Sequence, residues 1–168
     1  MATNVNDKIQ EAVAKELGVS NPHALPRITK VVVSAGVGKN RDDKAYLESV
    51  VKDLTSITGQ YPQARRAKKA VAGFKVRQHN LVGYRVTLRG QRMKDFTERF
   101  VNVTLPRVRD FRGLVTTSLD GNGNLSVGLS EHLAFPEVQA DQTDVIFGVE
   151  VTFVTSTKDE ALGFPFNK

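Results

Sequence analysis

Between Arg65 and Arg112 the chain places ten Arg and four Lys against only Asp95, Glu98 and Asp110, a net charge of +11, while Met1–Ala64 carries +1 and Gly113–Lys168 carries −6. A block this lopsided and Arg-rich, set in a chain of 40% hydrophobic and 25% charged residues, belongs on one face of a folded domain, where it suits a polyanion. Nucleic acid is the leading candidate.

At 168 residues the chain is long enough for one sizeable core, and the reading is a single domain over residues 1–168 with a basic loop at about 65–80. The absence of cysteine excludes disulfides, thiolate metal sites and cysteine nucleophiles. Met1–Leu17 mixes charged with apolar residues and lacks the apolar run and small-residue cleavage site of a secretory signal. No stretch is apolar enough to span a bilayer. The expectation is a soluble, cytoplasmic protein, in which the sequons at Asn102 and Asn124 are chance matches.

Val5, Ile9, Ala12, Val13 and Leu17 fall on one helical face ahead of Gly18. Arg27–Ala35 is short and β-branched, a strand running into Gly36-Val37-Gly38, where the glycines permit a tight turn. Asp42 or Asp43 caps a helix marked by Leu47, Val50, Val51, Leu54 and Ile57 and stopped by Gly59. Arg65–Asn80 has no core-facing period and reads as a loop. In Leu81–Arg89, Val82, Tyr84, Val86 and Leu88 alternate with Arg85, Thr87 and Arg89, a half-buried strand with a basic outer face. Met93, Phe96, Phe100 and Val103 mark a helix that Pro106 closes or kinks. Asp120-Gly-Asn-Gly-Asn124 is a turn before the alternating Leu125, Val127 and Leu129; Val145–Thr155 is a last β segment and Lys158–Leu162 a short helix. Strands and helices mix without a βαβ repeat, which predicts an α+β fold with a largely antiparallel sheet.

Motifs that carry chemistry are few. Gly36-Val37-Gly38-Lys39 invites comparison with a phosphate loop, but that pattern needs Gly at position 33 and Ser or Thr after the Lys, where the chain has Val33 and Asn40. Asp120, Asn122, Asn124 and Glu131 approximate a calcium loop, yet Leu125 stands in the place of its turn glycine and a strand follows where a helix is needed. His23, His79 and His132 are not spaced as metal ligands, and no catalytic constellation is visible, so neither a catalytic residue nor a metal or other cofactor is assigned. The basic block differs from a merely solvated face in two respects. Its Arg excess favours bidentate phosphate binding, and it carries Phe74, His79 and Tyr84 as stacking partners. Residue chemistry alone does not choose RNA over DNA. A free-standing nucleic-acid-binding regulator and, more distantly, an enzyme built on the Gly36–Lys39 turn stand beside the leading reading.

The segment Ala70-Val-Ala-Gly-Phe-Lys-Val-Arg77, followed by Val86-Thr-Leu-Arg-Gly90 and Arg92-Met93, closely resembles the bacterial large-subunit ribosomal protein L-five family. So, in the same order, do Leu105-Pro-Arg-Val-Arg-Asp-Phe-Arg-Gly-Leu114, Asp120–Asn124, Phe135-Pro-Glu137 and Phe164-Pro-Phe-Asn-Lys168, with Gly36–Gly38 and Thr58-Gly-Gln-Tyr-Pro62 upstream. The resemblance implies a curved, largely antiparallel sheet with helices on one side, in a non-catalytic constituent of the large ribosomal subunit. Its implied partners are 5S rRNA in the central protuberance, 23S rRNA, P-site tRNA, a small-subunit head protein at an intersubunit bridge and neighbouring large-subunit proteins, with no membrane.

Carried over by position, the resemblance implies 5S rRNA contacts at Ser34, Gly36, Gly38, Gln60, Phe74, Thr87 and Arg89. It implies a P-site tRNA loop at Lys75, Arg77, Gln78 and His79. Arg65, Arg66, Lys68 and Lys69 are expected at other rRNA phosphates. Ser34 stands where the family usually has Asn, a shorter group with fewer hydrogen bonds to offer a base or ribose. Arg65 and Ala70 replace Thr or Ser, and Tyr84 replaces a smaller residue.

Overall fold

The computed structural model describes residues 26–156, except 39, 110, 112, 115–117, 121, 139–142 and 144. The helices expected at Val5–Leu17 and Lys158–Leu162, the terminal Phe164–Lys168 motif and Lys39 lie outside the described residues.

Five strands form one antiparallel sheet: β1 (Ile28–Gly36), β2 (Gln63–Arg66), β3 (Leu81–Leu88), β4 (Leu125–Leu129) and β5 (Val149–Thr155), in the order β2-β3-β1-β5-β4. The β-branched run of β1 suits the central position, where it pairs with β3 on one side and β5 on the other. Period-two alternation then sorts the side chains. Val31, Val33 and Ala35 lie opposite Leu88, Val86 and Tyr84 on β3 and opposite Phe153, Val151 and Val149 on β5. With Leu125, Val127 and Leu129 of β4, these residues make the buried face, on which Tyr84 is only partly covered.

Two helical elements cover that face. Helix α1 (Lys44–Thr58) is capped by Asp43, whose carboxylate accepts the Tyr46 N–H at 3.2 Å, and is stopped by Gly59 at φ 66°, whose N–H donates to the Thr55 carbonyl at 2.8 Å. Val50, Leu54 and Ile57 are fully buried beneath it. Helix α2 (Gly90–Arg99) buries Met93 and Phe96, then continues as a π-helical segment, Phe100–Thr104, and a final α turn, Leu105–Arg107. Phe100 lies 5.5 Å from Phe153 between ring centres and about 6 Å from both Phe96 and Phe135, so one aromatic cluster ties the helix to the sheet.

The π-helical segment changes which residues face inward. Leu105 N–H donates to the Phe100 carbonyl, five residues back, and the wider turn takes Val103 out to solvent and buries Thr104 instead. Pro106 supplies a reason: in a regular helix its ring would crowd the Asn102 carbonyl, which would also lose its N–H donor. The helix marked by Met93, Phe96 and Phe100 is therefore as read, but Val103 is not a core position.

Other local departures have equally local causes. Arg65 and Arg66 belong to the edge strand Gln63–Arg66 instead of a loop, and all four residues of that strand are exposed, so it carries no apolar alternation. Gly36 closes β1 and Gly38 sits in the turn, yet neither adopts a left-handed φ. Val37 anchors that turn by burial and by donating its N–H to the Val82 carbonyl at 3.0 Å. The last strand begins at Val149, not Val145.

Candidate nucleic-acid interface

The opposite face of the sheet carries no helix among the described residues. By register it presents Val32, Ser34 and Gly36 of β1, Gly83, Arg85 and Thr87 of β3, Gln63 and Arg65 of β2, Ser126 and Gly128 of β4, and Glu150 and Thr152 of β5. Its middle is a shallow trough of about 530 Å³ lined in part by Ser34, Gly36, Arg65, Gly83, Arg85, Gly128, Gly148 and Glu150. Glycines floor it: Gly36 lies opposite Gly83 in the ladder, so backbone is bare where any other pair would raise two side chains. At Gly83 a Cβ would stand 2.6 Å from the Ala35 carbonyl oxygen, so any other residue requires the strand backbones to shift.

Polar chemistry on this face is partly satisfied internally. Ser34 Oγ donates to Glu150 Oε2 at 3.1 Å, and Ser126 and Thr152 hydroxyls meet at 3.0 Å. With its proton engaged, Ser34 offers an approaching ribose or base an acceptor only. Arg85 lies beside Ser34 in register, half-buried, and its buried Nε has no hydrogen-bond partner.

A second surface projects from the sheet edge. Between β2 and β3 the chain continues the hairpin: Ala67 N–H donates to the Asn80 carbonyl at 2.9 Å, His79 N–H to the Ala67 carbonyl at 2.9 Å, and Val71 and Val76 exchange both amide bonds at 2.8 and 3.2 Å. Ala72–Phe74 makes a single 3₁₀ turn at the tip, with Lys75 at φ 51° and His79 at φ 68°. Arg65, Arg66, Lys68, Lys69, Lys75 and Arg77 are all exposed, and none lies within ion-pair distance of a carboxylate among the described residues. Phe74 is 78% exposed, a bare ring among cations and not a prop beneath the loop.

The residues expected to act together thus fall into separate places. Ser34 and Gly36 line the trough and Thr87 shares its face. Gly38 is in the β1–α1 turn; Gln60 follows α1, with its N–H on Thr58 Oγ1 at 3.3 Å; Phe74 is at the hairpin tip; Arg89 is exposed where β3 meets α2. Lys75, Arg77, Gln78 and His79 do share the outer hairpin. Residues missed by sequence reasoning include Glu150, Arg85 and Tyr61. The last is 76% exposed beside Tyr84, whose hydroxyl is pushed above the ordinary tyrosine pKa first by burial and then by Tyr61. Arg85 had a signal, its place beside Thr87 in the alternation; Glu150 had none, because its partner is 116 residues away.

The other motifs serve the fold. Asp120 Oδ1 accepts the N–H groups of Asn122 and Asn124 at 3.0 and 2.8 Å, and Oδ2 accepts Asn124 Nδ2 at 2.8 Å, which holds this carboxyl below its usual pKa. The run that approximates a calcium loop is a turn capped by its own aspartate. His132 is fully buried, stacked on Phe147, with Nε2 3.1 Å from Asp53 Oδ2 and Nδ1 facing the Phe147 N–H at 3.5 Å.

A family model describing the C-terminus of the ribosomal L5 family matches residues 81–164, and a second, described as "Ribosomal protein L5", matches residues 21–77. Among curated relatives, the large ribosomal subunit protein uL5 of Carboxydothermus hydrogenoformans is 47% identical over 97% of this chain and 95% of its own length. Its namesakes from Halothermothrix orenii and Dichelobacter nodosus are each 44% identical, over 100% and 95% of this chain and 98% and 94% of their own lengths. An antiparallel α+β fold with a glycine-floored open face and a cationic hairpin, matched along almost its whole length, places the chain in the L5 family of ribosomal proteins.

Proposed function

We propose that this chain is a non-catalytic constituent of the large ribosomal subunit, acting as a single domain that binds 5S rRNA in the central protuberance and contacts 23S rRNA. In this reading the outer hairpin touches P-site tRNA, and the chain also contacts neighbouring large-subunit proteins and helps form an intersubunit bridge with a small-subunit head protein. The observation that carries the RNA reading is the hairpin: six exposed cations without carboxylate partners, an exposed aromatic ring and ordered backbone hydrogen bonds on one projection. Such a surface suits phosphates and an unstacked base far better than it suits a protein core. Ser34, Gly36 and Thr87 supply the shorter-range contacts on the open face, where bare glycine backbone admits a ribose closely.

The test is a salt-controlled titration of the purified protein with 5S rRNA, using tRNA and an unrelated structured RNA as competitors. Binding that survives both competitors is expected for the wild type, with Thr87→Ala and Gln60→Ala each weaker by about 5- to 20-fold, the worth of one or two polar contacts. Equal affinity for all three RNAs would reduce the protein to a general RNA-binding domain. Unchanged 5S affinity in both variants would remove those positions from the site.

A further inference from the structure

The hairpin tip, residues 71–78, is exposed at all but Val76 and has little packing to orient it. Among the described residues it makes one hydrogen bond beyond the hairpin itself: Arg41 Nη2 donates to the Lys75 carbonyl at 2.8 Å. Arg41 is 34 residues away in sequence and stands in the β1–α1 turn. The described residues of that turn are tied by Val37 N–H on Val82, Asn40 N–H on Val37 and Asp43 N–H on Asn40, at 3.0, 3.1 and 3.2 Å. The Arg41 side chain is only 20% exposed, whereas Asp42, 3.8 Å from its Nε, is 94% exposed and contributes little as a partner. The acceptor carbonyl belongs to a non-glycine residue at φ 51°, a conformation that persists where surrounding contacts impose it.

The geometry points to Arg41 as a positioning residue for the basic hairpin. A charge-assisted bond from this hydrogen-bonded turn to the one left-handed residue of the tip fixes where Lys75, Arg77 and Phe74 stand relative to the sheet. The same turn carries Gly38 and leaves β1 at Gly36, so the two surfaces proposed to face RNA share one mechanical anchor. This assignment rests on the reading of the hairpin as the tRNA-contacting element.

The experiment compares wild type, Arg41→Ala and Lys44→Ala in the full chain. Lys44 is an exposed cation at the start of α1 with no hydrogen bond to the tip, so it controls for the lost charge. Amide hydrogen exchange by mass spectrometry is expected to quicken about tenfold across residues 71–78 in Arg41→Ala and to be unchanged in Lys44→Ala, with equal thermal midpoints. Affinity for purified tRNA is expected to fall about fivefold in Arg41→Ala and less than twofold in Lys44→Ala, with 5S rRNA affinity equal in the two. Unaltered exchange in Arg41→Ala overturns the proposal, as does an equal tRNA loss in both variants. Faster exchange with undiminished tRNA affinity also overturns it. If deleting Lys75–His79 from the wild type costs no tRNA affinity either, the error lies in the ligand assigned to the hairpin and not in what Arg41 holds.

Discussion

At the scale of single residues, two positions bear on stability through what surrounds them, one in the sheet and one buried beside it. Gly83 lacks a side chain because the neighbouring backbone occupies its place, with the Ala35 carbonyl 2.6 Å from where a Cβ would stand. Gly83→Ala forces β3 and β1 apart at the trough floor and is expected to destabilise the fold by about 1–3 kcal/mol, read as a lower urea midpoint; an unshifted midpoint would show that the strands separate freely. His132 is the second. Its burial holds the imidazole below its ordinary pKa of 6.5, against the opposing pull of Asp53, and the Phe147 N–H facing Nδ1 agrees with a neutral ring whose Nε2–H donates to Asp53. A depressed folded pKa means this stabilisation is complete above about pH 6.5 and declines as pH falls toward the folded value, because the unfolded histidine takes up a proton first. The thermal midpoint should therefore drop as pH falls below about 6.5, and His132→Gln, which keeps a donor for Asp53 but does not titrate, should flatten that slope. An identical slope in the variant would assign the pH dependence elsewhere.

At the scale of elements, the hairpin and the helices answer to different physics. Helices α1 and α2 exist to bury one face, so the periodicity of Val50, Leu54 and Ile57, or of Met93, Phe96 and Phe100, was legible in the letters. The outer part of the β2–β3 hairpin, residues 63–80, holds no buried residue and is held by backbone pairs and Arg41, so no apolar pattern announces it and Arg65 and Arg66 read as loop. Deleting Lys75–His79 should for that reason leave 5S rRNA affinity intact and shift the thermal midpoint by less than about 3 °C, while tRNA affinity falls. Loss of 5S binding instead would give the hairpin to that RNA. The π-helical segment is the converse case: Pro106 was visible, but which carbonyl would yield and which residue would turn inward depends on how the helix meets Phe135 and Phe153.

At the scale of the whole molecule, charge and core divide the chain between them. Buried apolar side chains of the described residues other than Val32 fall in one cluster on one side of the sheet, leaving the other side and the hairpin outside the core. With roughly five to eight phosphates neutralised, log affinity for 5S rRNA should fall against log salt with a slope of about −4 to −7; a flat dependence would mean that the cations are spectators. Composition and order alone determined the class of fold, the excess of positive charge, the existence of the strands and helices that carry apolar periods, and family membership, because each is written in the sequence without reference to distant contacts. The tertiary structure alone decided that Ser34 donates its proton to Glu150, that Gly83 must be bare, that Thr104 displaces Val103 from the core, and that Arg41 reaches the hairpin tip. Those are outcomes of strand register and helix packing, which join residues tens to more than a hundred positions apart, and local sequence carries no mark of a partner that only folding brings within about 3 Å.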